Sequence, residues 1–221
     1  GAIELGALNM AEFALGPTGH NAYAGDCRNP WNPDHVACGS SSGCGAAVGA
    51  RLAWGSFGSD TGGSVRLPAS ACGVLGLKPT NGRISLAGMM PLAPSVDVPG
   101  ILGRSARDVA RLLGVVAGHD PADARSSRRP TPHYESGLER GIAGLRIGVP
   151  RNHFLESVAP DVSRAVEEAL RTLQSLGATA VPIEVPSPGH LTELSRVLVY
   201  SEASAVHGSW MSTHASDYSP Q

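Results

Sequence analysis

Two serine-glycine clusters stand close together early in the chain, Gly39-Ser40-Ser41-Ser42-Gly43 and Gly58-Ser59-Asp60-Thr61-Gly62-Gly63-Ser64. A short apolar stretch, Ala46 to Trp54, separates them, and Gly73-Val74-Leu75-Gly76-Leu77-Lys78-Pro79-Thr80 follows. Clusters of this kind require backbone held close to something small. Glycine reaches positive φ and lets successive amides turn to one side, and amides that point together form an anion-binding concavity. A serine among such amides has the parts of an acyl-transfer site: a hydroxyl nucleophile and donors for an oxyanion.

Composition limits the setting. The 221 residues suffice for one sizeable domain with a real core. Apolar residues make up 42% and charged residues 16%, the balance of a globular chain. The 28 glycines are about twice the usual ~7% share and gather before residue 120, so the backbone is specialised there. A net charge of -2 without a basic stripe argues against nucleic acid as a direct partner. Cys27, Cys38, Cys44 and Cys72 form no C-x-x-C pair and have no histidines at zinc spacing, so they read as small buried hydrophobes in a reducing compartment. The eight histidines are scattered, and no metal site is expected. No signal peptide is visible, and no apolar run approaches the ~18 residues of a membrane span, so the expected location is the cytoplasm. The abrupt start at Gly1 and stop at Gln221 lead us to expect a segment of a longer protein.

Along the chain, residues 16 to 38 carry turn chemistry at Asn29-Pro30 and Asn32-Pro33. Residues 43 to 54 read as a buried small-residue helix. Ser105-Ala106-Arg107-Asp108 resembles a capping box, followed by Val109, Leu112, Leu113 and Val116 at helical spacing, with Gly118 ending the run. Residues 121–142 read as a surface connection between a Gly/Ser-rich core at 1–120 and a last part at 143–221. In that part, Leu145 to Val149 reads as a strand and Pro160-Asp161 opens a helix that Gly177 ends. A second strand runs from Thr179 to Val185, and a last helix from Leu191 to Met211. This β-α-β order implies a parallel pair in an α/β fold.

Each serine motif alone also fits a plainer role. Ser64 after Gly62-Gly63 reads as an N-cap; Ser40, Ser41 and Ser42 read as a polar turn before a helix. The pattern Gly39-Ser40-Ser41-Ser42-Gly43 also satisfies G-x-S-x-G, the nucleophile elbow of α/β-hydrolases, but Asn32 to Cys38 before it is a poor strand.

The combination is more specific. Both clusters, with Val65-Arg66-Leu67-Pro68-Ala69 and Cys72 to Thr80, closely resemble the amidase signature family. Asn9 to Gly16, Arg28-Asn29-Pro30-Trp31-Asn32, Asp97 to Arg104, Gly118-His119-Asp120-Pro121, Gly144 to Pro150 and Glu202-Ala203-Ser204-Ala205 are similar to its other segments, so the resemblance covers essentially the whole chain. It implies an α/β fold with a central mixed sheet surrounded by helices, here in part, within a single amidase domain. It implies a Ser-cisSer-Lys triad with Ser64 as the acylated nucleophile and Ser40 as the serine held by a cis peptide. The amides of Thr61, Gly62, Gly63 and Ser64 would form the oxyanion hole, and Ser59 would support the hydroxyls. The implied activity is hydrolysis of a small-molecule amide to a carboxylate and ammonia or an amine, with no cofactor or metal and with a homodimer among the compatible assemblies.

The chain departs from the family pattern in one respect. Its only lysine, Lys78, is not at the catalytic position, so the general base lies outside these residues and the segment by itself is expected to be inactive. Two other readings stay open: the amidase subunit of a tRNA-dependent glutamine amidotransferase, and a non-catalytic amidase-like fragment.

Overall fold

The computed structural model describes residues 3–219. The chain divides into two compact units, one formed by residues up to 136 together with those from 198 onward, the other by 137–197.

The first unit is built on a three-stranded antiparallel sheet of β1 (Gly55–Asp60), β2 (Leu75–Leu77) and β3 (Val98–Gly103), in the order β1-β3-β2. Phe57 of β1 and Leu77 of β2 both pair with Ile101 of the central strand. Every residue of β3 is buried. Successive side chains of a strand point to opposite faces, and the core follows that rule. Leu102 packs with Cys44, Val48, Val65 and Ala69, from helices α1 (Ser42–Gly49) and α2 (Arg66–Ala71) and the turn between them and the sheet. Ile101, its neighbour, packs with Ile84 and with Val109 and Leu113 of α3 (Ala106–Val116).

The expected small-residue helix is present and buried, but it stops at Gly49 instead of running to 54. Arg51 takes a left-handed φ of 64°. The Arg51 amide donates to Val48 O at 3.1 Å and the Leu52 amide to Ala47 O at 2.9 Å. This is the hydrogen-bond pattern of a Schellman stop, with arginine where glycine usually stands. The freed residues let the chain turn into β1. The cap at Ser105 is as expected, its Oγ accepting from the Asp108 amide at 3.1 Å.

The stretch expected to be a surface connection is more structured than that. Ser85 Oγ donates to Asp120 Oδ2 at 2.6 Å, the Leu86 amide donates to Asp123 Oδ2 at 2.9 Å, and Asp123 and Ser126 are buried. Residues Tyr134–Gly137 form a short 3-10 turn whose Glu135 meets Arg107 and Arg111 of α3, each at 3.1 Å. The aspartates that looked like loop polarity hold this segment onto residues 85–86.

The second unit is the expected β-α-β motif. β4 (Arg146–Pro150) pairs in parallel with β5 (Thr179–Ile183), and α4 (Pro160–Ser175) lies between them in sequence. Gly177 follows α4 with φ 93°. Helix α5 (Pro188–His214) is longer than its apolar pattern suggested, and its residues from 198 on belong to the first unit. Among the described residues the antiparallel strands form one sheet and the parallel pair another, with helices alongside, the α/β content expected.

Candidate active site

The two serine-glycine clusters meet. The Ser41 amide donates to Ser64 O at 3.1 Å, which sets the residue after Ser40 against the backbone of Ser64. Ser41 Oγ also bridges the main chain of Ser59, donating to its carbonyl and accepting from its amide, both at 3.2 Å. This approach explains Gly58: a Cβ there would lie 2.4 Å from Ser41 Oγ.

The three serines of the first cluster have three different fates. Ser41 Oγ serves as the bridge just described. Ser42 Oγ donates to Asn9 O at 3.4 Å. Ser40 Oγ is buried with no partner among the described residues, although its backbone is fixed: the Ala11 amide donates to Ser40 O at 2.9 Å, and the Gly39–Ser40 peptide is cis. A buried hydroxyl left unpaired costs about 1–3 kcal/mol and calls for an explanation. Ser40 is thus the one hydroxyl of the triplet still available for chemistry.

The second cluster is the turn from β1 into α2, and Asp60 shapes it. Asp60 is fully buried. Its Oδ1 accepts from the Gly63 amide at 2.9 Å and from Arg66 Nη2 at 2.8 Å. Its Oδ2 accepts from the Val65 and Arg66 amides at 3.2 and 3.4 Å and from Arg66 Nε at 3.0 Å. Burial alone would push this carboxyl up, but the Arg66 guanidinium and the two amides outweigh it and hold its pKa below the ordinary carboxylate value. Gly63 takes φ 134°, a region that favours glycine.

One amide of the expected oxyanion hole, that of Gly63, donates to Asp60 Oδ1 in this structure. Among the described residues no acceptor takes the amides of Thr61, Gly62 or Ser64, and those three remain as donors. Ser59 holds the Ser41 hydroxyl through its main chain. Thr61 is anchored separately, its Oγ1 donating to Asp97 Oδ1 at 2.5 Å. Asp97 is itself buried, with Oδ2 accepting from the Leu92 and Ala93 amides at 2.9 and 3.0 Å.

Asp60 and Asp97 were missed in the sequence. An Asp three residues before a glycine is a known way to cap a turn, so Asp60 had a local signal. Asp97 lies 36 residues from Thr61 and had none. Lys78 is exposed, and its Nζ donates to Pro79 O at 3.1 Å. All four cysteines are free; Cys44 and Cys72 are buried, and Cys27 and Cys38 are half-buried. Burial pushes the Cys72 thiol up to about 11, so it stays protonated and packs as an apolar group.

The family model described as Amidase matches residues 1–218. The A subunit of the glutamyl-tRNA(Gln) amidotransferase of Geobacter sp. (strain M21) is 45% identical over 205 residues, which are 93% of this chain and 42% of that protein. The protein of the same name from Thermosynechococcus vestitus is 46% identical over the same shares. Among solved structures, the A subunit of the Thermotoga maritima amidotransferase superposes with a TM-score of 0.86 at 38% identity, covering 89% of this chain and 43% of that one. A peptide amidase in complex with chymostatin gives 0.83 at 33%, covering 97% and 46%. The chain spans less than half the length of the relatives it matches. With the paired serine clusters, the Asp60-shaped turn and these matches in agreement, the chain belongs to the amidase family.

Proposed function

We propose that the protein carrying this chain hydrolyses a carboxamide through a serine acyl-enzyme. The observation that carries the reading is the buried, unpartnered Ser40 Oγ in a segment hydrogen-bonded to the backbone of Ser64. Ser64 Oγ attacks the carbonyl carbon. The amides of Thr61, Gly62 and Ser64 take the developing oxyanion, each donor being worth roughly 3 kcal/mol in the transition state. Ser40 relays the proton from Ser64 to a base outside these residues, for which the family resemblance implies a neutral lysine. The C–N bond breaks, the nitrogen leaves protonated, and water releases the acid.

The test is Ser64→Ala in the full-length protein, with a fluorophosphonate probe and an ammonia-release assay. Loss of both supports Ser64 as nucleophile; undiminished labelling refutes it, and a wild type that neither labels nor releases ammonia favours a non-catalytic role. A second reading has its own support, since the relatives at 45% and 46% identity are amidotransferase components. Under that reading ammonia release depends on glutamine, and the other amidotransferase components co-purify. A soluble cytoplasmic enzyme, alone or as a homodimer, accords with the first reading; among the described residues no helix is long and apolar enough to cross a membrane.

A further inference from the structure

Glu202 stands on α5 and grips the loop that leads into β3. Its Oε2 accepts from the Ser95 amide at 2.9 Å and its Oε1 from Ser95 Oγ at 2.5 Å. Asn81 Nδ2 donates to the Ser95 carbonyl at 3.3 Å. All three polar groups of Ser95 are therefore held from outside its own loop. The Ser95 hydroxyl and amide, with the Arg125 guanidinium nearby, keep the Glu202 carboxyl below its ordinary pKa, so it is ionised at neutral pH.

Ser95 belongs to the turn that delivers Asp97. The Val96 and Asp97 amides both donate to Ala93 O at 2.9 Å, and the Leu92 and Ala93 amides close the turn on Asp97 Oδ2. One side of the turn, Leu92 and Ala93, is buried and fixed by packing. The other side, Pro94 and Ser95, is exposed, and this is the side that Glu202 holds. Where the turn enters β3, Val98 pairs with Asp60 of β1. One further step of that antiparallel register sets Asp97 opposite Thr61, and there the two side chains meet. Glu202 thus connects to Thr61 through Ser95, a closed turn and Asp97.

We propose that Glu202 is a positioning residue of the oxyanion cradle: by holding Ser95 it fixes the turn that carries Asp97, and Asp97 fixes the orientation of the Thr61 amide. This rests on the amidase reading and adds a remote residue to it. The contribution is to geometry more than to stability, because a solvent-facing contact adds little to folding. An oxyanion donor is sensitive to placement. Removing one costs about 10²–10³ in rate, so loosening one should cost about tenfold.

The experiment combines Glu202→Gln with Thr61→Val in the full-length protein. The readout is the rate at which a fluorophosphonate labels Ser64, since its phosphoryl oxygen enters the cradle during attack. In Glu202→Gln an NH2 group replaces one of the two oxygens that accept from Ser95, so one bond is lost. Labelling should slow about tenfold, while urea unfolding stays near wild type. Groups that act through one network are non-additive. Once Thr61→Val has cut the link to Asp97, Glu202→Gln should therefore slow labelling less than about twofold. Ser95→Ala removes the hydroxyl bond and leaves the amide bond; its effect should be smaller and show the same dependence on Thr61, and it decides the matter if Glu202→Gln does not fold. Equal slowing with and without Thr61→Val, or no slowing by either substitution, overturns the positioning role alone. Absence of wild-type labelling that Ser64→Ala abolishes overturns the amidase reading, and the role of Glu202 with it.

Discussion

The turn that presents Ser64 depends on Asp60, and its amide contacts should matter more than its ion pair. In Asp60→Asn one oxygen remains for the Gly63 amide and Arg66 Nη2, while an NH2 group replaces Oδ2 and faces three donors: the Val65 amide, the Arg66 amide and Arg66 Nε. Val65 is fully buried, so water cannot replace the lost acceptor. An unsatisfied buried donor costs about 1–3 kcal/mol, and a hydrogen bond to a charged group contributes about 1.5–3. The Arg66 Nε loss counts for less, because that side chain is 54% exposed and such pairs contribute only ~0–1 kcal/mol. Together these give a destabilisation of about 2–4 kcal/mol. Arg66→Ala leaves all three amides on the carboxylate and should cost about 1 kcal/mol. Urea unfolding of the full-length variants measures both. If Arg66→Ala costs as much as Asp60→Asn, the ion pair and not the amide cluster holds the turn, and the argument fails. The pH dependence has a definite sign. Because the folded pKa of Asp60 lies below the unfolded value, ~3.9, its stabilisation is complete above that value and disappears as pH falls through the lower folded pKa. Asp60→Asn lacks this acid-side loss, so the stability gap between wild type and variant should narrow as pH falls through the folded pKa.

Ser40→Ala removes a hydroxyl that bonds to nothing among the described residues, so stability should hold or rise by about 1 kcal/mol while turnover falls about 10²–10⁴-fold; thermal melts and kcat measurements check the two halves separately. Thr61→Val keeps the side-chain shape but ends the donation to Asp97, costing about 1.5–3 kcal/mol by denaturant unfolding, and kcat should drop more than KM rises as the Thr61 amide loses its position. Ser105→Ala removes the α3 cap and should cost about 1 kcal/mol with kcat unchanged, since that helix packs on the face of β3 opposite α1 and α2; a change in kcat would contradict the assignment of the two faces.

Local chemistry in the sequence determined a good part of this protein. The serine-glycine clusters, the Ser105 cap, the β-α-β order of residues 146–183 and the buried run after Ser42 were legible because each depends on neighbours within a few residues. Strands β1 and β3 were not, since Gly55-Ser56-Phe57-Gly58-Ser59-Asp60 and Val98-Pro99-Gly100-Ile101-Leu102-Gly103 lack the alternation and β-branched content that mark a strand. They are strands because they pair with each other and accept α1, α2 and α3 at close range, which is a property of the assembled sheet. Which hydroxyl of Ser40, Ser41 and Ser42 stays free was equally hidden. Three identical side chains in a row differ only in what the fold sets beside them: the main chain of Ser59, the carbonyl of Asn9, or nothing. The sequence motif did not reveal that the Gly63 amide donates to a carboxylate three residues away, because a buried charge takes the nearest strong donors first. The sequence therefore decided that hydroxyls and free amides would gather in this chain. Tertiary structure decided which of them remain unspent, because hydrogen-bond partners are allotted by distance in space.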